Sequence, residues 1–161
     1  MKIKLMVAVA VAAGLLLPGQ VAAQQAGRAE TLFACTLRGG KTVRVTQRGD
    51  RITYRFGTAA RPELTIVGSP AARNLFAATA LHGGATYYTQ LRFVRGTYSY
   101  VVYAMEGGRV TNTVGSSGLI VYRNGRRINE RRCTRMTDLS FDAISEVPED
   151  IQGAPLAWGD D

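Results

Sequence analysis

Leu119-Ile120-Val121-Tyr122-Arg123-Asn124-Gly125-Arg126-Arg127-Ile128-Asn129-Glu130 is the stretch on which the reading of the fold turns. Two runs that favour extended backbone flank an Asn-Gly pair. A two-residue hairpin turn of type I′ needs positive φ at both central residues, and Asn-Gly supplies it at low steric cost. A connection this short joins antiparallel neighbours only, because a parallel crossover needs a dozen residues or more.

Outward from that hairpin the same grammar repeats. Gly39-Gly40, Gly49-Asp50, Gly96 and Gly107-Gly108 also separate runs rich in Val, Ile, Tyr, Phe and Thr. The runs are Thr31–Leu37, Lys41–Gln47, Arg51–Phe56, Glu63–Val67, Thr86–Val94, Thr97–Met105, Arg109–Val114, Leu119–Arg123 and Arg127–Thr134. Several alternate strictly, as in Thr42-Val43-Arg44-Val45-Thr46, where both valines fall on one face. Period 2 marks half-buried strands. The expected fold is all-β: an antiparallel meander of about eight strands closed into a small barrel or sandwich, which limits exposed edges. Ser69 to Gly84 is Ala-rich and breaks the pattern. It reads either as a short helix, capped by Ser69, opened by Pro70 and running through Phe76, or as a long loop.

The two ends of the chain read differently from its middle. Lys2 and Lys4, an uncharged apolar run from Leu5 to Leu17, Pro18-Gly19 and the small residues of Val21-Ala22-Ala23 make residues 1–23 a cleavable signal peptide. Thirteen apolar residues are too few to span a bilayer, and no Cys follows the cleavage site. The expected location is therefore periplasmic or secreted, with no integral membrane segment after processing. Residues 24–137 form the β-barrel-like domain and carry 18 basic against five acidic residues, a formal +13. Residues 138–161 hold seven acidic residues and no basic one, and read as an irregular acidic tail. Seventeen of the 18 basic residues are Arg. For an exported chain such a charge points to anionic lipid, a cell-wall polymer or an acidic protein, and no nucleic acid is expected.

Little in the sequence supports catalysis. His82 is the single histidine and stands beside Gly83-Gly84, which reads as a solvated loop position. One His and two Cys cannot assemble a Cys/His zinc site, so no metal and no cofactor are expected. Gly39-Gly40-Lys41-Thr42 lacks the first Gly of a P-loop and leads into a strand. Cys35 and Cys133, an even pair in an oxidising compartment, read as one disulfide. A loop of about 100 residues closed in this way contributes roughly 4–5 kcal/mol in the chain-entropy account.

The residues that suggest recognition are aromatic and cationic. Tyr98 and Tyr100 fall in one strand, and Arg123 and Arg126 flank the Asn124-Gly125 turn. Tyr and Arg dominate interface hot spots. Gly115-Ser116-Ser117-Gly118 reads as a small-residue loop able to enter a narrow cleft, with Arg123 and Arg126 placed to pair with acidic groups there.

The span Phe33 to Cys133 resembles a group of small exported bacterial proteins. It carries their early Phe-x-Cys, a Gly-Lys turn, Ile52-Thr53-Tyr54-Arg55-Phe56-Gly57 before Pro62-Glu63-Leu64, the aromatic run Tyr98 to Tyr103 and a closing Asn124-Gly125 hairpin. More distantly it is similar to the membrane-bound and periplasmic inhibitors of c-type lysozyme, small antiparallel β-barrels with paired early and late cysteines. That family blocks its enzyme with a Ser-Gly-x-x-Tyr loop; the matching stretch here, Ser117-Gly118-Leu119-Ile120-Val121-Tyr122, is one residue longer. The resemblance implies an exported, non-enzymatic binding protein that inhibits or neutralises an envelope-acting enzyme, a cell-wall hydrolase or toxin, as an inhibitor or immunity protein does. Ser116, Ser117, Gly118, Tyr122, Arg123, Arg126, Tyr98 and Tyr100 would then make the contact. The alternative is a small barrel that binds an anionic envelope ligand, lipid or polysaccharide.

Overall fold

The computed structural model describes residues 28–82, 86–105, 115–137 and 146–150. Its nine strands are β1 (Glu30–Leu37), β2 (Thr42–Arg48), β3 (Arg51–Gly57), β4 (Pro62–Gly68), β5 (Leu75–His82), β6 (Thr86–Arg95), β7 (Tyr98–Met105), β8 (Ser116–Arg123) and β9 (Arg126–Thr137). They form one antiparallel sheet in the order β4-β3-β2-β1-β9-β8-β7-β6-β5. Each strand lies beside its neighbour in sequence, except that β1 pairs with β9 and leaves β4 and β5 as the edges. The expected closed barrel is therefore corrected to an open sheet, and the count rises from about eight strands to nine among the described residues. The predicted signal peptide, the run Arg109–Val114 and tail residues 138–145 and 151–161 lie outside the described residues.

The Asn124-Gly125 turn takes the conformation the sequence demands, with φ of 49° and 76°. Arg123 and Arg126 face each other across it. The Ala-rich segment is neither of the two things expected. Ser69 does cap a turn, its Oγ accepting from the Ala72 amide at 3.3 Å. That turn is a single 3-10 turn, Pro70–Ala72, and Arg73 ends it in the left-handed region at φ 49°. From Leu75 the chain is β5, paired with β6 along its whole length. Alanine has little preference for strands, so here the partner strand and the burial of Leu75 decide the conformation.

The sheet folds over so that its two halves share one core. Phe33, Cys35, Val43, Val45, Tyr54 and Ile66 from β1 to β4 pack with Leu75, Leu91, Phe93, Val102 and Leu119 from β5 to β8. The Tyr54 ring of β3 lies 5.3 Å from Phe93 and 5.7 Å from Tyr100, centroid to centroid. Each fully buried large side chain contributes about 1.5–3 kcal/mol relative to exposure. β9 holds the halves together: its first part pairs with β8 and its last residues with β1. The Cys35–Cys133 disulfide lies on this junction and links residues 98 apart in sequence.

The two edges are managed locally. Asn74 donates from Nδ2 to the Val67 carbonyl at 3.0 Å, and Gly68 lies so close to Leu75 that a Cβ there would sit 2.8 Å from the Leu75 Cβ. Glu146–Asp150, from the acidic tail, runs against the open side of β5. The Ala77 amide donates to Pro148 and the Asp150 amide donates to Ala77, at 2.9 and 2.7 Å. Asp150 then takes both oxygens to the Arg92 guanidinium, 2.6 and 2.7 Å away, with the carboxylate almost fully buried. Val147 packs on the shared core. A tail expected only to be irregular thus occupies, through these five residues, an edge that would otherwise expose unpaired amides.

The disulfide sets a clear expectation for stability. A Cys35→Ser, Cys133→Ser variant should lose about 3–5 kcal/mol in urea unfolding. Thiol titration of the unfolded, unreduced protein should find no free sulfhydryl; two would contradict the pairing.

Candidate functional site

The residues predicted to meet a partner divide into two groups. Ser116, Ser117 and Gly118 do not form a loop; they are the first three residues of β8, paired with Met105, Ala104 and Tyr103 of β7. Ser117 is buried, and so is Tyr122, whose ring belongs to a cluster with Tyr88, Val101, Tyr103, Met105 and Ile120. Gly118 is fixed by close packing: a Cβ there would stand 2.5 Å from the Arg131 carbonyl and 2.9 Å from the Tyr103 ring. The loop reading is corrected because the pairing of β8 with β7 begins at Ser116, three residues earlier than Leu119. The second group stays near the surface. The Arg123 guanidinium lies over the Tyr98 ring at 5.5 Å, Tyr98 stacks near Tyr100 at 6.3 Å, and Arg126 is exposed at the hairpin end.

The tyrosine cluster lies on the face of β6, β7 and β8 turned away from the shared core, because alternate residues of β7 divide between the two. Tyr88 donates to Gln90 Oε1 at 3.1 Å and Tyr103 donates to Glu130 Oε1 at 3.3 Å. Burial first, and the Glu130 carboxylate second, push the Tyr103 hydroxyl up to about 12. Burial pushes Tyr54 higher still. Both are structural phenols, held neutral.

A concavity rich in cations lies elsewhere, on the outer face of β9, β1, β2 and β3. A groove of about 540 Å³ is lined by Arg44, Arg55 and Arg135 together with Thr36, Thr42 and Thr58. Pairing alone brings the cations together. Arg44 stands directly opposite Arg55 across β2 and β3, Ala34 opposite Arg44, and Arg135 opposite Thr36. Among the described residues the ion pairs involve Lys41, Arg92, Arg127 and Arg132, so none of the three groove arginines has a carboxylate partner. Like charges directly opposite are destabilising, by roughly 0.2–1 kcal/mol a pair. Planar guanidinium forks beside hydroxyl donors suit phosphate, sulfate or carboxylate.

Sequence reasoning passed over these arginines by treating them as solvated. One signal was available: counted outward from the Gly49-Asp50 turn, Arg44 and Arg55 fall at equal distances and must face each other. Arg135 had no such signal, because its place beside β1 depends on a pairing between the two ends of the domain. No group of three or more His, Cys, Asp or Glu able to hold a metal occurs among the described residues.

Two measurements follow. Arg55→Thr should raise stability by about 0.2–1 kcal/mol at low salt, and the gain should shrink in ~0.5 M NaCl as screening takes over. Because the Tyr54 and Tyr103 hydroxyls are raised by folding, the stability they contribute is complete below pH ~10; the share of Tyr103 is lost as the pH rises through about 12, and that of Tyr54 keeps falling beyond it. Urea midpoints across that window should fall for the wild type and fall less steeply for Tyr103→Phe.

Comparison with protein-family models, with curated proteins and with solved structures finds no match to this chain, so the groove and its surroundings speak through their own residues.

Proposed function

We propose that this is an exported, non-enzymatic binding protein whose ligand is an anionic envelope component, an acidic polysaccharide in the first instance. The observation that carries the reading is the groove of Arg44, Arg55 and Arg135, three guanidinium groups brought together by strand register with no carboxylate among them. A surface that keeps like charges opposed is one whose neutralising partner comes from outside. The groove sets Arg44, Arg55, Arg135 and three threonines beside apolar residues such as Val43, Phe56 and Pro62, and three neighbouring cations suit a ligand that carries repeated negative charges. One supporting fact fits a non-cytoplasmic setting, the Cys35–Cys133 disulfide.

A second reading keeps the protein partner, a secreted hydrolase or toxin that the chain inhibits or neutralises. It is favoured by the exposed end where Arg123 lies over Tyr98 and Arg126 stands beside it. With Ser117, Gly118 and Tyr122 inside the sheet, that contact would rest on the tyrosine and the two arginines.

Heparin, as a soluble polyanion, and vesicles containing about 30% phosphatidylglycerol separate the ligands. Heparin should bind in 50 mM NaCl (roughly one Debye length of 13–14 Å) and weaken as salt rises. The combined Arg44→Gln, Arg55→Gln, Arg135→Gln variant should lose at least about tenfold in affinity, while Arg73→Gln should not. Equal heparin binding by the triple variant would move the site, and binding to the vesicles alone would replace polysaccharide by lipid. Retention of one stoichiometric protein from an envelope extract, lost on reversing Arg123 and Arg126, would favour the second reading.

A further inference from the structure

β9 departs from the pattern of its neighbours in one respect. Opposite Leu119 and Val121 of β8, whose side chains join the shared core, stand Arg131 and Asn129. An inward face between two sheet halves calls for apolar residues, yet here it carries a guanidinium and an amide. These two line a second cavity, about 210 Å³ in volume, with Lys41, Tyr54, Phe56, Tyr100, Leu119 and Val121.

The cavity is graded from floor to rim. Tyr54 and Leu119 are buried and form its floor; Phe56, Tyr100 and Val121 are half-buried apolar walls; Lys41 and Arg131 are half-buried cations, and Asn129 is exposed. Tyr54 is 0% exposed, and its hydroxyl has no hydrogen-bond partner. A buried hydroxyl without a partner costs about 1–3 kcal/mol and is uncommon in a well-packed core. At the rim, Lys41 is neutralised by Glu63 at 2.6 Å and lies over the Phe56 ring. Arg131 has no carboxylate partner among the described residues. Apolar walls and one uncompensated cation line the same space, with the ring of the orphaned Tyr54 hydroxyl in its floor, which is the composition of a small-ligand pocket.

We propose that this pocket binds a small amphiphilic anion of about eight to ten non-hydrogen atoms in all, an apolar body with a carboxylate head. The size follows from the volume, since a cavity of roughly 150 Å³ holds a benzene ring. The charge follows from Arg131, whose fork accepts a carboxylate bidentately, with the Asn129 amide beside it. The body lies on Tyr100, Leu119 and Val121, and the Tyr54 hydroxyl donates to an oxygen of the ligand. The site shares no arginine with the polyanion groove, and the two readings stand or fall separately.

Octanoate, octylamine and octan-1-ol, titrated calorimetrically into the oxidised protein, test the proposal. Octanoate should bind with a Kd of about 0.1–1 mM, as befits so small a ligand. Octylamine, with the same chain and the opposite charge, and octan-1-ol should each bind at least about tenfold more weakly. Arg131→Gln should weaken octanoate at least about tenfold. Tyr54→Phe should weaken it about three- to tenfold while melting at the same temperature or higher, because the unpartnered hydroxyl is gone. Val121→Phe, filling the pocket from its half-buried wall, should abolish binding. Equal affinity for octanoate and octylamine, undiminished binding in Val121→Phe, or no octanoate binding up to about 10 mM would overturn the proposal. The arginine groove variant should bind octanoate as the wild type does, whatever its response to heparin.

Discussion

Everything in this molecule rests on the pairing of β1 with β9. Seven of the eight ladders join strands that are neighbours in sequence, and those contacts are cheap in loop entropy. The β1–β9 ladder is different: it joins the two ends of the domain and spans only four residue pairs, from Ala34–Thr137 to Leu37–Cys133. Without it there would be two separate meanders, each with an apolar face open to water. The disulfide sits on this short ladder, where a covalent tie removes most unfolded-state freedom and where the hydrogen bonds alone are fewest.

The opposite side of the sheet shows how a fold can stop short of closure. β4 and β5 are consecutive in the chain and meet through Gly68, Leu75 and the Asn74 side chain, yet they form no ladder. The backbone groups that closure would have satisfied on β5 are met at Ala77 by the tail segment ending in Asp150. Its carboxylate is buried against Arg92, and Arg92 also lies over the Phe76 ring. A buried ion pair of this kind fixes position more than it stabilises, because desolvation offsets much of the attraction. Residues 146–150 of the acidic segment are thereby held by a single arginine, while among the described residues the groove arginines on the far half have no carboxylate partner.

What the sequence made legible was whatever depends on local geometry. Asn124-Gly125 fixed a hairpin because only a few residues tolerate its φ values, and the alternation in β2, β3 and β7 fixed which side chains face inward. β5 escaped because Ala77, Ala78 and Ala80 carry no period-2 signal, and its extended state comes from β6. The Ser116–Gly118 segment misled because small residues suit both a loop and a close approach; only the Tyr103 ring beneath Gly118 distinguishes them. The sites were harder for the same reason. Arg44 and Arg55 meet through register, Arg135 through a pairing across the whole domain, and Arg131 looks ordinary until its partner Leu119 shows which way it faces.

The position of β9 has a consequence for the birth of the fold. β1 to β4 and β5 to β8 can each assemble as the chain emerges, since each strand in these sets pairs with its neighbour in sequence. The strand that joins them is the last to be made. Until Cys133 and the residues after it are available, the inner faces of both half-sheets lack their common seam, and Tyr54, Phe93 and Leu119 lack a settled core. The common core is therefore settled only once β9 has been made. A chain cut short before β9 would instead present two sticky, unmatched half-sheets, a natural target for proteolytic removal.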